Sequence, residues 1–346
     1  ITLSWVATAY ILTAAALLLP FGRVADIYGR KRVFILGTFV FTVASFLLGV
    51  AWSAGPLIAF RVLQGVGSAM LFGTGIAMLS SAFPPGERGR ALGINVAAVY
   101  LGLSCGPLLC GLLTQYVGWR SIFFFNVPLG ILIIIFSLWK LRAEWAESKG
   151  EPFDLVGSLI YCAMLVALMY GFSILPGMAG SLLIATGIAG ICAFVAWELR
   201  TGRPILDINL FRTNKVFTLS NIAALIHYSA TFAIGFLLSL YLQHIKGLSP
   251  QNTGIVLISQ PLVQAVFSPI AGRMSDRVEP RIVASTGMSI TAVGLFLLVF
   301  LDAGTGMWFI VSALALLGFG FALFSSPNSN AIMSSVENRL YGVASS

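Results

Sequence analysis

Charge is scarce in this sequence. Twenty Lys and Arg and twelve Asp and Glu make up 9% of its 346 residues, against about a quarter in an ordinary soluble domain. A water-soluble globule is excluded. Titratable and soft metal ligands are sparse too: His227 and His244, with Cys105, Cys110, Cys162 and Cys192. The cysteines lie inside apolar stretches with no CxxC or His-paired spacing, so they read as small buried hydrophobes rather than metal ligands. The phosphate-cradling GxxxxGK[ST] is absent, and no nucleophile, base or metal ligands gather at one depth, which argues against an enzyme. Neither a repeated filter nor a polar pore helix suggests a channel.

Apolar length is what the chain has. Hydrophobic side chains make up 58% of it and the mean hydropathy is +0.95. No charged residue occurs in residues 1–22, 62–86, 91–119, 121–139, 155–197, 247–272, 282–301 or 303–336. A helix of about 20 residues crosses a bilayer core, so each of these runs is long enough and the longest crosses twice. The runs lack the two-residue alternation of an outer-membrane barrel, so the fold class is all-α and polytopic. The net charge of +8 does not point to nucleic acid, because the basic residues sit in short loops between apolar runs.

Dividing the runs at turns and charge clusters gives eleven spans, near 4–22, 33–52, 56–82, 91–116, 121–139, 155–174, 181–197, 216–241, 251–272, 282–301 and 305–328. A further one starts at about 340. Counting basic residues on alternate sides tests this division. Seventeen of the twenty fall on one side, Arg120 and Lys246 on the other, and Arg61 inside a span. The basic side is cytoplasmic, and Ile1 then lies outside at the start of a span. On this reading the chain is a fragment lacking a first helix upstream and helices downstream.

The sequence repeats itself. Gly22-Arg23-Val24-Ala25-Asp26-Ile27-Tyr28-Gly29-Arg30-Lys31 returns 250 residues later as Gly272-Arg273-Met274-Ser275-Asp276-Arg277-Val278-Glu279-Pro280-Arg281. Both copies join two spans on the cytoplasmic side, the pattern of a transporter built from two parallel halves.

Four motifs follow in order: Gly22 to Arg32; Leu57, Arg61, Gln64, Gly65 and Gly67; Gly102, Gly106, Pro107 and Gly111; and Trp119-Arg120 with Phe125-Asn126-Val127-Pro128-Leu129-Gly130. Together they resemble the major facilitator superfamily, the third being similar to the fifth-helix motif of its drug:proton antiporters. Eight spans separate the loops of Asp26 and Asp276, where a twelve-span facilitator has six. Phe153-Asp154-Leu155-Val156-Gly157, Pro204-Ile205-Leu206-Asp207 and Leu210-Phe211-Arg212 also resemble the fourteen-span branch of EmrB/QacA type. The resemblance implies a major facilitator fold of two pseudo-symmetric bundles with two extra central spans. The expected domains are 1–141, 142–215 and 216–346.

Each motif has a physical reading. Gly22 and Gly29 are expected to permit a tight loop turn, with Asp26 complementing a helix N-terminus or pairing with Arg30. With Lys31, this loop would be the family's conformational latch. In the second copy Glu279 and Pro280 stand in place of Gly29 and Arg30, which makes that latch less secure. An intramembrane Arg61 costs from about 2.5 kcal/mol upward and should face a wet cavity or a partner, with Gln64 on nearly the same helical face. The family links this Arg to proton transfer. Gly102, Gly106 and Cys110 form a smooth stripe beside Pro107 and should make a tight, bent helix contact. All twelve acids map to loops or span ends, so no membrane carboxylate is expected. His227 reads as a buried, hydrogen-bonded histidine, and Tyr10, Tyr100, Phe124, Phe125, Asn126, Tyr228, Phe232, Gln260 and Gln264 as candidate cavity residues.

The expectation is a secondary transporter of the plasma or inner membrane that exports amphipathic, drug-like compounds in exchange for protons, with the proton gradient as its energy source and no cofactor. In a two-membrane cell its partner would be a periplasmic adaptor. The alternative is a facilitator of the same fold that takes up or exports one metabolite, lipid or siderophore.

Overall fold

The computed structural model describes residues 2–346, with side chains from Trp5 onward. Every regular element among the described residues is helical. Eleven helices are long and apolar enough to cross a membrane: α1 (Thr2–Tyr28), α2 (Arg30–Gly49), α3 (Ala54–Ala82), α4 (Arg88–Tyr116), α5 (Ser121–Lys140), α6 (Leu155–Ser173), α7 (Met178–Glu198), then, after the short α8 (Ile208–Thr213), α9 (Lys215–Leu240), α10 (Pro250–Ser275), α11 (Pro280–Leu298) and α12 (Met307–Ser334). A five-residue π turn extends α9, and α13 (Tyr341–Ser345) follows a 3-10 turn. The eleven spans match those read from the apolar runs, with ends that differ by a few residues: α1, α10 and α12 run longer, whereas α2 and α11 stop sooner.

Those ends matter. α1 runs on to Tyr28 and α10 to Ser275, so Gly22, Asp26 and Gly272 are helical, not parts of a loop. Only Gly29 makes a turn, at φ +115°, a conformation that residues with a Cβ avoid. Gly22 serves close approach instead: a Cβ there would overlap the Gly342 carbonyl. The tight-turn role expected of Gly22 is therefore corrected. Asp26 and Glu198 both lie at helix ends, where the sequence placed them, and both are buried.

The helices cluster into two compact units, neither continuous in sequence. One comprises Ile1–Ser81, Cys110–Thr213 and Val336–Ser346, the other Ala82–Leu109 and Asn214–Ser335. Within the first, Leu19, Met164, Phe194, Ile205 and Val343 form one apolar cluster, and Ala25, Val33 and Met70 another. In the second, Ile234, Leu238, Leu242, Ile310, Leu314 and Leu317 form the main cluster.

Outward faces are apolar as well. On α5 alone Ile131, Leu132, Ile135, Phe136, Leu138 and Trp139 are exposed, a surface that suits lipid and not water. The cysteines follow this inverted rule. Cys105 and Cys192 are exposed, Cys110 and Cys162 half-buried, so the expectation that all four are buried is corrected. Lipid removes the driving force for sequestering a small apolar thiol.

Candidate functional site

The first repeat copy builds a buried polar knot within one unit. Arg30 and Asp26, four residues apart across Gly29, have fully buried side chains and pair at 2.6 Å. Arg30 Nε also donates to Asp26 Oδ1 at 2.9 Å, Nη1 to Ser81 Oγ at 2.6 Å and Nη2 to the Asn338 carbonyl, and the guanidinium lies 5.3 Å from the Tyr341 ring centroid. Asp26 Oδ1 accepts the amide of Gly342 at 2.8 Å and Oδ2 that of Val343 at 3.2 Å. Both alternatives considered for Asp26 therefore occur together. A buried charge is tolerated only when paired and hydrogen-bonded, and here both members are.

The linker between α5 and α6 wraps this knot. Arg30 N donates to Trp145 O and Ser148 N to Asp26 O; Lys31 Nζ donates to Leu141 O, and Lys31 N to Glu144 Oε1 at 3.0 Å. Arg23 pairs with Glu151 at 2.5 Å. Ser81→Ala should leave one guanidinium N–H unsatisfied and cost about 1.5–3 kcal/mol, read as a fall in the unfolding midpoint.

The second copy repeats the arrangement within the other unit with simpler chemistry. Asp276 Oδ1 accepts the amide of Gly89 at 2.7 Å and Oδ2 that of Arg90 at 2.8 Å, at the first turn of the 29-residue α4. A carboxylate suits unsatisfied amides and the positive end of a helix dipole. Here too glycines let backbones meet, since a Cβ on Gly272 would overlap the Gly89 carbonyl. Glu279 and Pro280 replace Gly29 and Arg30 without breaking this contact, because it needs only the Asp and the glycine.

Arg61 sits on α3, half-buried. Its Nη1 donates to Gln64 Oε1 at 2.9 Å, Gln64 Nε2 donates to Ser45 Oγ at 2.9 Å, and the guanidinium lies 4.8 Å from the Phe123 ring centroid and 5.8 Å from that of Tyr10. Tyr10 Oη is 2.7 Å from Ser68 Oγ. Arg61 Nε is buried without a partner. The charge thus has aromatic faces and one amide, but no carboxylate among the described residues.

The glycine stripe does not make the tight contact expected of it. A Cβ on Gly102, Gly106 or Gly111 would meet no atom within 4 Å, and Pro107 is likewise exposed. A smooth face permits a close contact without enforcing one, and here it stays open.

The cavity candidates fall in both units. In the first, Phe125 is 42% exposed and Asn126 bonds back to the Ile122 carbonyl at 3.3 Å. In the second, Tyr100 packs edge-on to Phe321, Tyr228 Oη reaches Ser325 Oγ at 3.2 Å, Gln264 is buried, Gln260 is half-buried and Phe232 is exposed. The sequence reading named His227 but missed the two phenylalanines that hold it, Phe321 and Phe324. His227 stacks on Phe324 at 4.1 Å and contacts Phe321 at 4.7 Å, and its buried Nε2 has no hydrogen-bond partner. The hydrogen-bonded histidine expected at this position is corrected to one held by aromatic packing. Phe321 and Phe324 lie in an apolar run where one phenylalanine carries no more signal than the next.

The description Major Facilitator Superfamily belongs to the family model that matches residues 1–346. The chain is 32% identical over 347 residues to the riboflavin transporter RibZ of Clostridioides difficile, covering 99% of this chain and 75% of that protein. It is 31% identical over 350 residues to the multidrug resistance protein Stp of Mycobacterium tuberculosis, and 30% identical over 345 residues to the tetracenomycin C resistance and export protein of Streptomyces glaucescens. It covers 99% and 98% of itself in these two matches but spans 64% of each relative. Among solved structures, the human organic anion transporter MFSD10 matches with a TM-score of 0.71 at 15% identity, over 99% of this chain and 72% of that one. The proton:xylose symporter XylE matches with a TM-score of 0.68 at 14% identity, over 98% and 73%. Identity at that level speaks for the fold alone. The chain belongs to the Major Facilitator Superfamily, as a multi-pass membrane transporter and not an enzyme.

Proposed function

We propose that this chain is part of a fourteen-span drug:proton antiporter that exports amphipathic compounds by alternating access. The observation that carries the reading is the duplicated carboxylate-on-amide contact: Asp26 on Gly342 and Val343, and Asp276 on Gly89 and Arg90. Two equivalent contacts, each made of a few bonds and a glycine-glycine approach, suit a latch that is made in one state of a cycle and broken in the other. Three more features favour the antiporter branch: the two spans α6 and α7, the motif residues Gly102, Gly106, Pro107 and Gly111, and the kinship with Stp and the tetracenomycin C export protein. Arg61 and Gln64 are the proposed coupling residues, since a half-buried guanidinium without a carboxylate partner is poised to respond to a proton or a charged substrate nearby.

The test uses the full-length protein in inverted membrane vesicles that hold an acid-inside gradient. Ethidium is expected to dissipate the gradient, and Arg61→Ala to reduce that dissipation at least about tenfold. Failure of lipophilic cations, anions and neutral drugs alike to dissipate it would remove the multidrug reading. A second reading, transport of one specific metabolite, is favoured by the similarity to RibZ, and saturable movement of riboflavin in the same vesicles would support it.

A further inference from the structure

Among the described residues two carboxylates are fully withdrawn from solvent, and they are treated differently. Asp26 has Arg30 and two amides. Glu198, at the end of α7 and 3% exposed, has the Leu206 amide on Oε2 at 3.0 Å, while its Oε1 is buried and has no partner. That idle oxygen faces a second carboxylate. A Cβ on Gly157 would overlap both Glu198 Oε1 and Asp154 Oδ2, so the two oxygens share the space left by the missing side chain. Asp154 is the N-cap of α6: Oδ1 accepts the Gly157 amide at 2.8 Å, and Oδ2 accepts Trp197 Nε1 at 2.9 Å.

The surrounding charges do not neutralise this pair. Arg23 on α1 attracts the Glu198 carboxylate, but its guanidinium is committed to Glu151 at 2.5 Å and to Ser148 at 3.3 Å. The other groups at Glu198 are the Ile205 and Leu206 amides, and the next residue, Asp207, is exposed. Neither Glu198 nor Asp154 forms an ion pair among the described residues. Burial and a neighbouring carboxylate both disfavour the charged form of Glu198, and an acceptor-only oxygen without a donor becomes satisfied when it carries a hydrogen.

We propose that Glu198 is a proton-binding site, its Oε1 hydroxyl directed at the Asp154 Oδ2 carboxylate across Gly157. Proton uptake converts the Glu198 carboxylate to a carboxylic acid and leaves Asp154 charged, which keeps the α6 cap intact. Release would put two negative charges side by side and set Glu198 in competition with Glu151 for Arg23. The site gives the α6–α7 pair a chemistry of its own. It does not depend on which way substrate moves or on whether Arg61 couples to protons.

Two measurements on the full-length protein in detergent micelles at fixed sodium concentration test it. The folded protein holds a proton that the unfolded chain releases, so the unfolding temperature should fall by at least about 2 °C as pH rises from about 5.5 to about 8.5. Glu198→Gln, a neutral isostere, should abolish that Glu198-dependent part of the slope. Dicyclohexylcarbodiimide should label the peptide containing Glu198 by addition of the acid O–H across the carbodiimide, with no group leaving. Above the midpoint, labelling should drop about tenfold per pH unit. A Glu198→Gln slope equal to that of the wild type overturns the proposal. Should that variant not fold, the absence of a pH-dependent adduct at Glu198 in the wild type overturns it instead. In a further series at fixed pH and varied sodium concentration, labelling or stability that follows sodium would also overturn it, since a metal ion would then occupy the gap.

Discussion

Asp26→Asn is expected to lower unfolding stability by about 3–5 kcal/mol, because it leaves the fully buried Arg30 guanidinium without its counter-charge. The substitution keeps one acceptor oxygen but removes the ion pair at 2.6 Å, and the amides of Gly342 and Val343 lose a charged acceptor. The reciprocal change discriminates between charge pairing and simple packing. Asp26→Asn combined with Arg30→Met should recover most of the loss, since replacing both members of a buried pair by neutral groups is often close to neutral. Unfolding in a denaturant series in micelles reads both variants. A double variant no better than the single would show that the pair acts through hydrogen bonding to Gly342 and Val343 and not through charge. Asp276→Asn should cost less, about 1–3 kcal/mol, because Asp276 is only half-buried and has no buried cation depending on it.

Gly22→Val should separate α1 from the segment at Gly342. The obstacle is the Gly342 carbonyl, backbone that cannot rotate away, and overpacking of this kind costs about 1–3 kcal/mol before the strained Asp26 bonds are counted. The clearest readout is amide exchange. The Gly342 and Val343 N–H groups, protected by Asp26 in this state, should exchange at least about tenfold faster in the variant. Unchanged protection would mean the helices part without breaking those bonds. Gly106→Val is the matched control, since a Cβ there has no neighbour within 4 Å, and it should leave stability within about 0.5 kcal/mol. If transport nonetheless collapses in that variant, the stripe makes its contact in another state of the cycle.

These variants also divide what could be read from the residues from what could not. The eleven spans, the sidedness of the basic residues and the repeat around Asp26 and Asp276 were legible because each follows from one-dimensional patterns: apolar length, loop charge and spacing. The interruption at Gly29 was legible as glycine chemistry. That Gly22 packs against Gly342 was not, since a helical glycine and a turn glycine look alike until the neighbouring backbone is placed. The same limit hid the aromatic packing of His227 on Phe321 and Phe324, and it led the stripe at Gly102 and Gly106 to be assigned a contact that this state does not make.

Glu198 shows the division most clearly. Position at a span end predicts solvent for a carboxylate, and the chain order alone gives no reason to doubt it. Burial came from Leu206 folding back onto α7 and from Gly157 leaving a gap beside Asp154. The sequence by itself determined that the chain is a polytopic helical membrane protein with an internal duplication, because a bilayer imposes length and apolarity on each segment separately. Only the tertiary structure decided which carboxylates are buried, which amides they hold and which glycines meet. Those properties belong to pairs of segments far apart in the chain, Asp26 and Val343 by 317 residues, and no segment carries them alone.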